Sequence, residues 1–302
     1  MSLTVIESGL NTLLVDGGRF GQRHRGLPWG GPADWVSFQY CNAILGNALE
    51  SAALEISLLG PTLIASDDIA LSFVGAPFHL EINGKSLGSL NTFTLRKDET
   101  LKIGSCYSGV RGYLGAKGGF LENTILGSRS SLGPIKIDQH ISCKVSKCTG
   151  SRLPEEWSWQ ESTLPIRVTP GAEFSSFRQQ EFLEQGFAVQ NSSNRMGLRL
   201  SGASIQIPEK EMLSEPVCPG TIQVARDGQL LVLGSDGQTI GGYPRIAQVI
   251  RADLAKLGQL RPGVKVAFSL VTTEIAELSW NTLFQETSYI SLRLQTASGI
   301  IL

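Results

Sequence analysis

Histidine is nearly missing from this sequence. Only His24, His79 and His140 occur in 302 residues, too few and too dispersed for a polyhistidine metal centre. Cysteine is scarce in a similar way: Cys41, Cys106, Cys143, Cys148 and Cys218 are odd in number and scattered. That argues against a disulfide framework, so reduced thiols and a cytoplasmic location are expected. Cys143, Cys148 and His140 come nearest to a zinc motif, but no second short-spaced pair completes four ligands, and no metal is expected. An excess of charge is lacking too. Against 26 Lys and Arg stand 27 Asp and Glu, for a net charge of -1 with no basic stripe, so nucleic acid is not an expected partner. No apolar run approaches the ~20 residues of a membrane span. The opening LTVIESGLNTLLV, with Glu7, has neither a cationic leader nor a small-residue cleavage site, so no membrane or secretory route is expected.

What is abundant is turn chemistry. The 34 glycines and 13 prolines, set between many short apolar runs, predict a β-rich chain of barrels or sandwiches rather than a helical bundle. Asn83-Gly84, after the alternating Leu80 and Ile82, predicts a tight type I′ hairpin, and Asp227-Gly228 offers the same device. Strands are expected over 12–15, 69–74, 92–95, 101–103, 110–116, 166–169, 197–200 and 264–270. Helical signals are few: Val36, Tyr40 and Ile44 recur at four-residue spacing between Pro32 and Gly46, with shorter candidates over 173–186 and 252–258. At this length one core rarely suffices, and two packed domains are expected. The polar, proline-bearing stretch 148–165 is the best linker, dividing the chain into halves at 1–150 and 165–302.

Four segments could carry chemistry. Residues 15–35, VDGGRFGQRHRGLPWGGPADW, place Asp16, Arg19, Arg23 and Asp34 on a glycine frame that could fold around an anion, although the spacing is not that of a GxxxxGKS/T phosphate loop. Residues 109–133 carry Lys117, Arg129 and the hydroxyls of Ser128, Ser130 and Ser131. No Gly-x-Ser-x-Gly elbow supports a serine nucleophile there. In 191–202, NSSNRMGLRLSG, Asn194 and Arg195 precede a strand. The densest segment is 219–250, where Asp236, Gln238, Tyr243 and Arg245 converge among glycines. Both charge signs in one polar pocket suit a small carboxylate, amide or phosphate better than an apolar ligand.

These pieces, VDGGRFG with GGPAD, LEISLLGPTL, GVRGYLGAKGG with LGSRSS, SNRMGLRLSG, and PGTIQV with DGQTIGGYPRIAQVI, run in order from about residue 15 to 250. Together they resemble the allophanate hydrolase subunit 2-like, or biotin-dependent carboxyltransferase-like, family that includes the C subunit of 5-oxoprolinase. The resemblance implies a mainly β fold of two cyclophilin-like β-barrel halves with a few short helices. It also implies a companion, an allophanate hydrolase subunit 1-like protein, and a third subunit in 5-oxoprolinase, whose assembly uses ATP to hydrolyse 5-oxo-L-proline to glutamate. Two alternatives are implied as well: a urea or allophanate carboxyltransferase component whose biotin is attached to another chain, and a non-catalytic regulatory partner of a kinase inhibitor. Ile240 and Lys117 depart from the family pattern.

Either enzymatic chemistry must stabilise negative charge developing on an amide or urea oxygen. Asp16, Arg195, Asp236 and Gln238 are the candidate catalytic residues. Arg19, Asp34, Arg129, Asn194, Tyr243 and Arg245 are candidates for binding a small amide substrate. Asp16 or Asp236 could move a proton or orient an arginine.

Overall fold

A computed structural model describes residues 1–88, 90–161, 165–207 and 212–299. The chain is mainly β and divides into two compact units. Unit 1 comprises 1–19, 34–161 and 286–302, and unit 2 comprises 20–33 and 162–285. The division drawn from sequence, 1–150 and 165–302, has contiguous halves, whereas each unit takes a segment from the far side of that boundary.

Unit 1 packs two antiparallel sheets. One contains six strands in the order His140–Ser142, Ser2–Glu7, Thr62–Ala65, Thr100–Cys106, Phe78–Ile82 and Lys85–Ser86; the other runs Asn11–Val15, Ala53–Ser57, Arg111–Ala116, Ile69–Gly75 and Thr92–Leu95. Leu3, Val5, Leu63, Leu101 and Ile103 from the first sheet meet Leu54, Ile56, Leu71 and Leu114 from the second in a single apolar core. Asn83 and Gly84 both take positive φ, 50° and 75°, the two left-handed positions that a type I′ hairpin demands. Helix α1, Trp35–Ala43, lies in a further cluster through Phe38, Tyr40, Cys41 and Ala43, against Val74 and Tyr113. Asp34 caps it.

Unit 2 is built on one eight-stranded sheet in the order Lys265–Val266, Phe187–Val189, Gly197–Ser201, Leu230–Leu233, Thr221–Val224, Arg245–Val249, Ile166–Pro170 and Phe268–Leu270. Its first and last strands are separated in sequence by Ala267 alone, so the sheet curls into a nearly closed barrel. The sequence reads 264–270 as one strand; the break at Ala267 is what lets a single run supply both edges. Glu215–Pro216 pairs with Ile240–Gly241 outside this sheet.

Three local expectations need correction. The loop at Asp227-Gly228 is not a second type I′ turn: only Gly228 has positive φ, 78°. The Gly228 amide donates to Ala225 O, and the Ala225 amide donates to Gln229 O, the geometry of a longer loop closed by a glycine bulge. The helix expected over 173–186 is a 3-10 turn, Phe174–Ser176, followed by α2, Gln179–Leu183, with Phe177 extended between them. Phe174, Phe177 and Phe182 all enter the barrel core, and that burial overrides helical continuity. After α3, Leu254–Leu257, comes the largest departure from "a few short helices": α4, Thr273–Ala297, is 25 residues long. Its buried positions are Thr287, Ser291 and Leu294, so two hydroxyl residues hide the period that apolar side chains would announce.

Candidate functional site

In unit 2 the Gly234–Gln238 loop is laid directly on the backbone of 194–196. The Gly234 amide donates to Met196 O at 3.0 Å and the Asp236 amide to Arg195 O at 3.1 Å. A Cβ at Gly234 would stand 2.3 Å from Arg195 O, so glycine is required there by close approach. This backbone match brings Arg195 and Asp236 together as the sequence predicts. Arg195 Nε donates to Asp236 Oδ2 at 2.7 Å and Nη2 to Oδ1 at 2.9 Å, while Nη2 also donates to Gly31 O at 2.7 Å. The arginine side chain is 6% exposed and the aspartate 30%. The carboxylate therefore sits at the accessible end of a buried, bidentate, charge-assisted pair.

The 20–33 segment is tied to the same loop. The Gly30 amide donates to Ser235 O at 3.3 Å, and Arg23 Nη2 donates to Val217 O and, at 3.4 Å, to Gln238 O. Arg23 Nη1, Trp29 Nε1 and Ser235 Oγ are buried without a hydrogen-bond partner among the described residues. An unmade buried donor costs about 1 to 3 kcal/mol, so three of them around one loop mark a place where an external acceptor would be favoured. Motif reading passes over Trp29 and Ser235 because neither residue type signals a site; only their shared lack of partners does.

Gln238 is exposed and its Nε2 reaches Gln223 Oε1 at 3.4 Å. A Cβ at Gly241 would stand 2.5 Å from Gln223 Nε2 and 2.9 Å from Gln238 Nε2, so this glycine makes room for two carboxamides of the chain itself. Tyr243 is 38% exposed. Asn194 has a local task, its Oδ1 accepting from the Met196 amide at 2.8 Å. Arg245 is not a free anion clamp. Glu173 takes its Nε at 3.0 Å and Nη2 at 2.8 Å, and Glu215 lies 2.6 Å from the same Nη2. The Glu173 hydrogen bond first, and then Glu215, against the opposing effect of burial, hold the guanidinium still more firmly protonated than usual. Neither glutamate is visible as a partner in the sequence, since Glu173 lies 72 positions away and Glu215 stands on a two-residue strand.

In unit 1, Asp16 is the centre of a different arrangement. Oδ1 accepts from Ser128 Oγ at 2.6 Å, Ser130 Oγ at 2.8 Å and the Gly18 amide at 3.0 Å, and Oδ2 accepts from the Arg129 amide at 2.5 Å. Burial alone would raise its pKa, but these donors together take it below the usual carboxylate value. A carboxylate so held is a weak proton acceptor near neutral pH and acts here as a clamp on the 128–130 loop. Arg19 is 6% exposed and donates to Ile125 O at 3.0 Å and Ser130 O at 2.6 Å, holding the same loop. Arg129 Nε and Ser131 Oγ are buried without partners among the described residues. Asp34, 3% exposed, spends Oδ1 on the Ser37 amide and Oδ2 on the Ser37 hydroxyl; it is a helix cap. Among the described residues no cluster of three or more His, Cys, Asp or Glu could hold a metal ion, and no helix is long and apolar enough to cross a membrane.

The chain belongs to the carboxyltransferase domain, subdomain A and B, family, which matches residues 25–270. More particularly, it is 31% identical to the C subunit of 5-oxoprolinase from Escherichia coli over 289 residues, spanning 91% of this chain and 93% of that protein. The crystal structure of TTHA0988 superposes with a TM-score of 0.81 at 32% identity, over 89% of this chain and 56% of that one. The chain therefore spans little more than half of that solved chain's length. The crystal structure of K. lactis urea amidolyase superposes with a TM-score of 0.87 at 25% identity, over 96% of this chain and 20% of the larger one.

Proposed function

We propose that this chain is a subunit of an ATP-dependent 5-oxoprolinase, acting with companion subunits to hydrolyse the cyclic amide of 5-oxo-L-proline to glutamate. The observation that carries the reading is the near full-length match to the E. coli protein, 91% of one chain on 93% of the other. ATP belongs to the assembled complex. In this reading Arg195 is a positioning residue: it fixes the Asp236 carboxylate and, through Gly31 O, the 20–33 segment. Asp236 is the group left to orient substrate or move a proton. The unpartnered donors Arg23 Nη1 and Trp29 Nε1, with the exposed Gln238 amide, suit an amide oxygen that gains negative charge, where each preorganised donor contributes about 3 to 4 kcal/mol.

The test is co-expression with a subunit 1-like companion and a third subunit, followed by an assay of ATP-dependent glutamate release. Turnover by the complex, and none by the complex lacking this chain, is the expected result. An intact complex without turnover overturns it. The similarity to urea amidolyase over 96% of this chain favours one second reading, a carboxyltransferase component working with biotin carried by a partner. Biotin-dependent carboxyl transfer to urea by the same complex distinguishes the two.

A further inference from the structure

A cleft of about 530 Å³ in unit 1 is separate from the catalytic and substrate-binding candidates above. It lies between the end of α1, the turn after the Arg111–Ala116 strand and the segment following His140–Ser142. Lys117 and Lys144 both line it, and neither lies within ion-pair distance of a carboxylate among the described residues.

Their placement is built rather than incidental. The two lysine-bearing segments are pinned to one residue of the Ile69–Gly75 strand: the Lys117 amide donates to Ala70 O at 2.9 Å, and the Ala70 amide donates to Ser146 Oγ at 3.1 Å. Gly118 has φ +84°, and a Cβ there would stand 3.1 Å from Lys144 Cδ and 3.7 Å from its Nζ. A bare glycine thus lets the second lysine lie across the turn immediately after the first. Behind the turn, Asn47 is 5% exposed and fully engaged. Its Oδ1 accepts from the Gly118 amide at 2.7 Å, while its Nδ2 donates to Ala116 O at 2.8 Å and Asn42 Oδ1 at 3.1 Å. The scaffold satisfies itself and leaves the two ammonium groups for something else.

We propose that this cleft binds a small molecule through a phosphate or pyrophosphate group. Two monovalent ammonium groups match a multiply charged phosphate better than a single carboxylate, and lysine grips phosphate as a mobile point charge. The volume falls in the small-molecule range of about 300 to 1,000 Å³ and exceeds what a bare phosphate fills. No aromatic side chain among the described residues lines the cleft, so recognition rests on charge rather than on stacking a base.

Inorganic pyrophosphate is the probe, titrated calorimetrically into the intact protein at low ionic strength with acetate as the control anion. Saturable one-to-one binding is expected, weakened roughly tenfold or more by Lys117→Ala and by Lys144→Ala and lost in the double variant, with little response to acetate. Mass spectrometry after amine-reactive labelling gives an independent readout. Pyrophosphate should protect Lys117 and Lys144 while leaving Lys97 and Lys102 exposed to reagent. Absence of saturable binding, equal binding by the double variant, or uniform protection of all four lysines would overturn the assignment. Retained ATP-dependent turnover in a complex carrying the double variant keeps this site separate from the function proposed above.

Discussion

Asp16 and Asp236 are both aspartates on glycine-rich loops, yet the protein satisfies them in opposite ways. Asp16 is surrounded by neutral donors, two serine hydroxyls and two backbone amides. Asp236 faces one guanidinium that is itself buried. The first arrangement retains a net negative charge and spends all of it on holding a loop. The second neutralises a buried cation and leaves the carboxylate at the accessible end. Where a carboxylate is saturated by four neutral donors it is part of the scaffold; where it is paired with a single cation and left partly open, it keeps room to act.

The sharpest break of this contrast is Asp236→Ala, which strands the Arg195 cation. Because the aspartate end is partly open, a loss at the low end of the buried-pair range, about 3 kcal/mol, is expected in urea unfolding, together with loss of turnover in the assembled complex. Asp16→Asn should cost less, about 2 kcal/mol, since one amide nitrogen would then face donors. It should also change the acid limb of the stability curve. A depressed folded pKa contributes stability above the unfolded value, near pH 4, that is lost as pH falls through the folded value. The wild type should therefore lose stability over that acidic window, and the asparagine variant should lose less across it. Gly234→Ala, whose Cβ would meet Arg195 O, should cost about 1 to 3 kcal/mol and lower turnover through the displaced Arg195. Tyr243→Phe should shift stability by less than about 0.5 kcal/mol and lower turnover only if the hydroxyl meets substrate, so a kinetic change without a thermal one isolates its role.

Much of the strand framework was legible because turn chemistry is local: Asn83-Gly84 specifies its own hairpin, and Pro32 through Gly46 brackets α1. The pairing of Arg195 with Asp236 was also readable as a grouping, though not the direction of its use. What escaped depended on tertiary packing. Helix α4 hides its buried face behind Thr287 and Ser291; three phenylalanines pull 173–186 out of helical register; and Arg245 looks like a substrate clamp until Glu173 and Glu215 close on it. The hydroxyls of Ser128 and Ser130, which read as donors for a ligand, are spent on Asp16.

The interleaving of the two units sets an order of events during synthesis. Leu294 belongs to the buried cluster around α1, with Ile290 packed against it, so unit 1 is completed by residues that follow unit 2 in the chain. A nascent chain that has emerged to residue 161 holds most of unit 1 but leaves this apolar seat uncovered. The helix that covers it arrives only after the whole barrel of unit 2 has been translated, so fragments that stop short of α4 should leave an apolar surface open to aggregation.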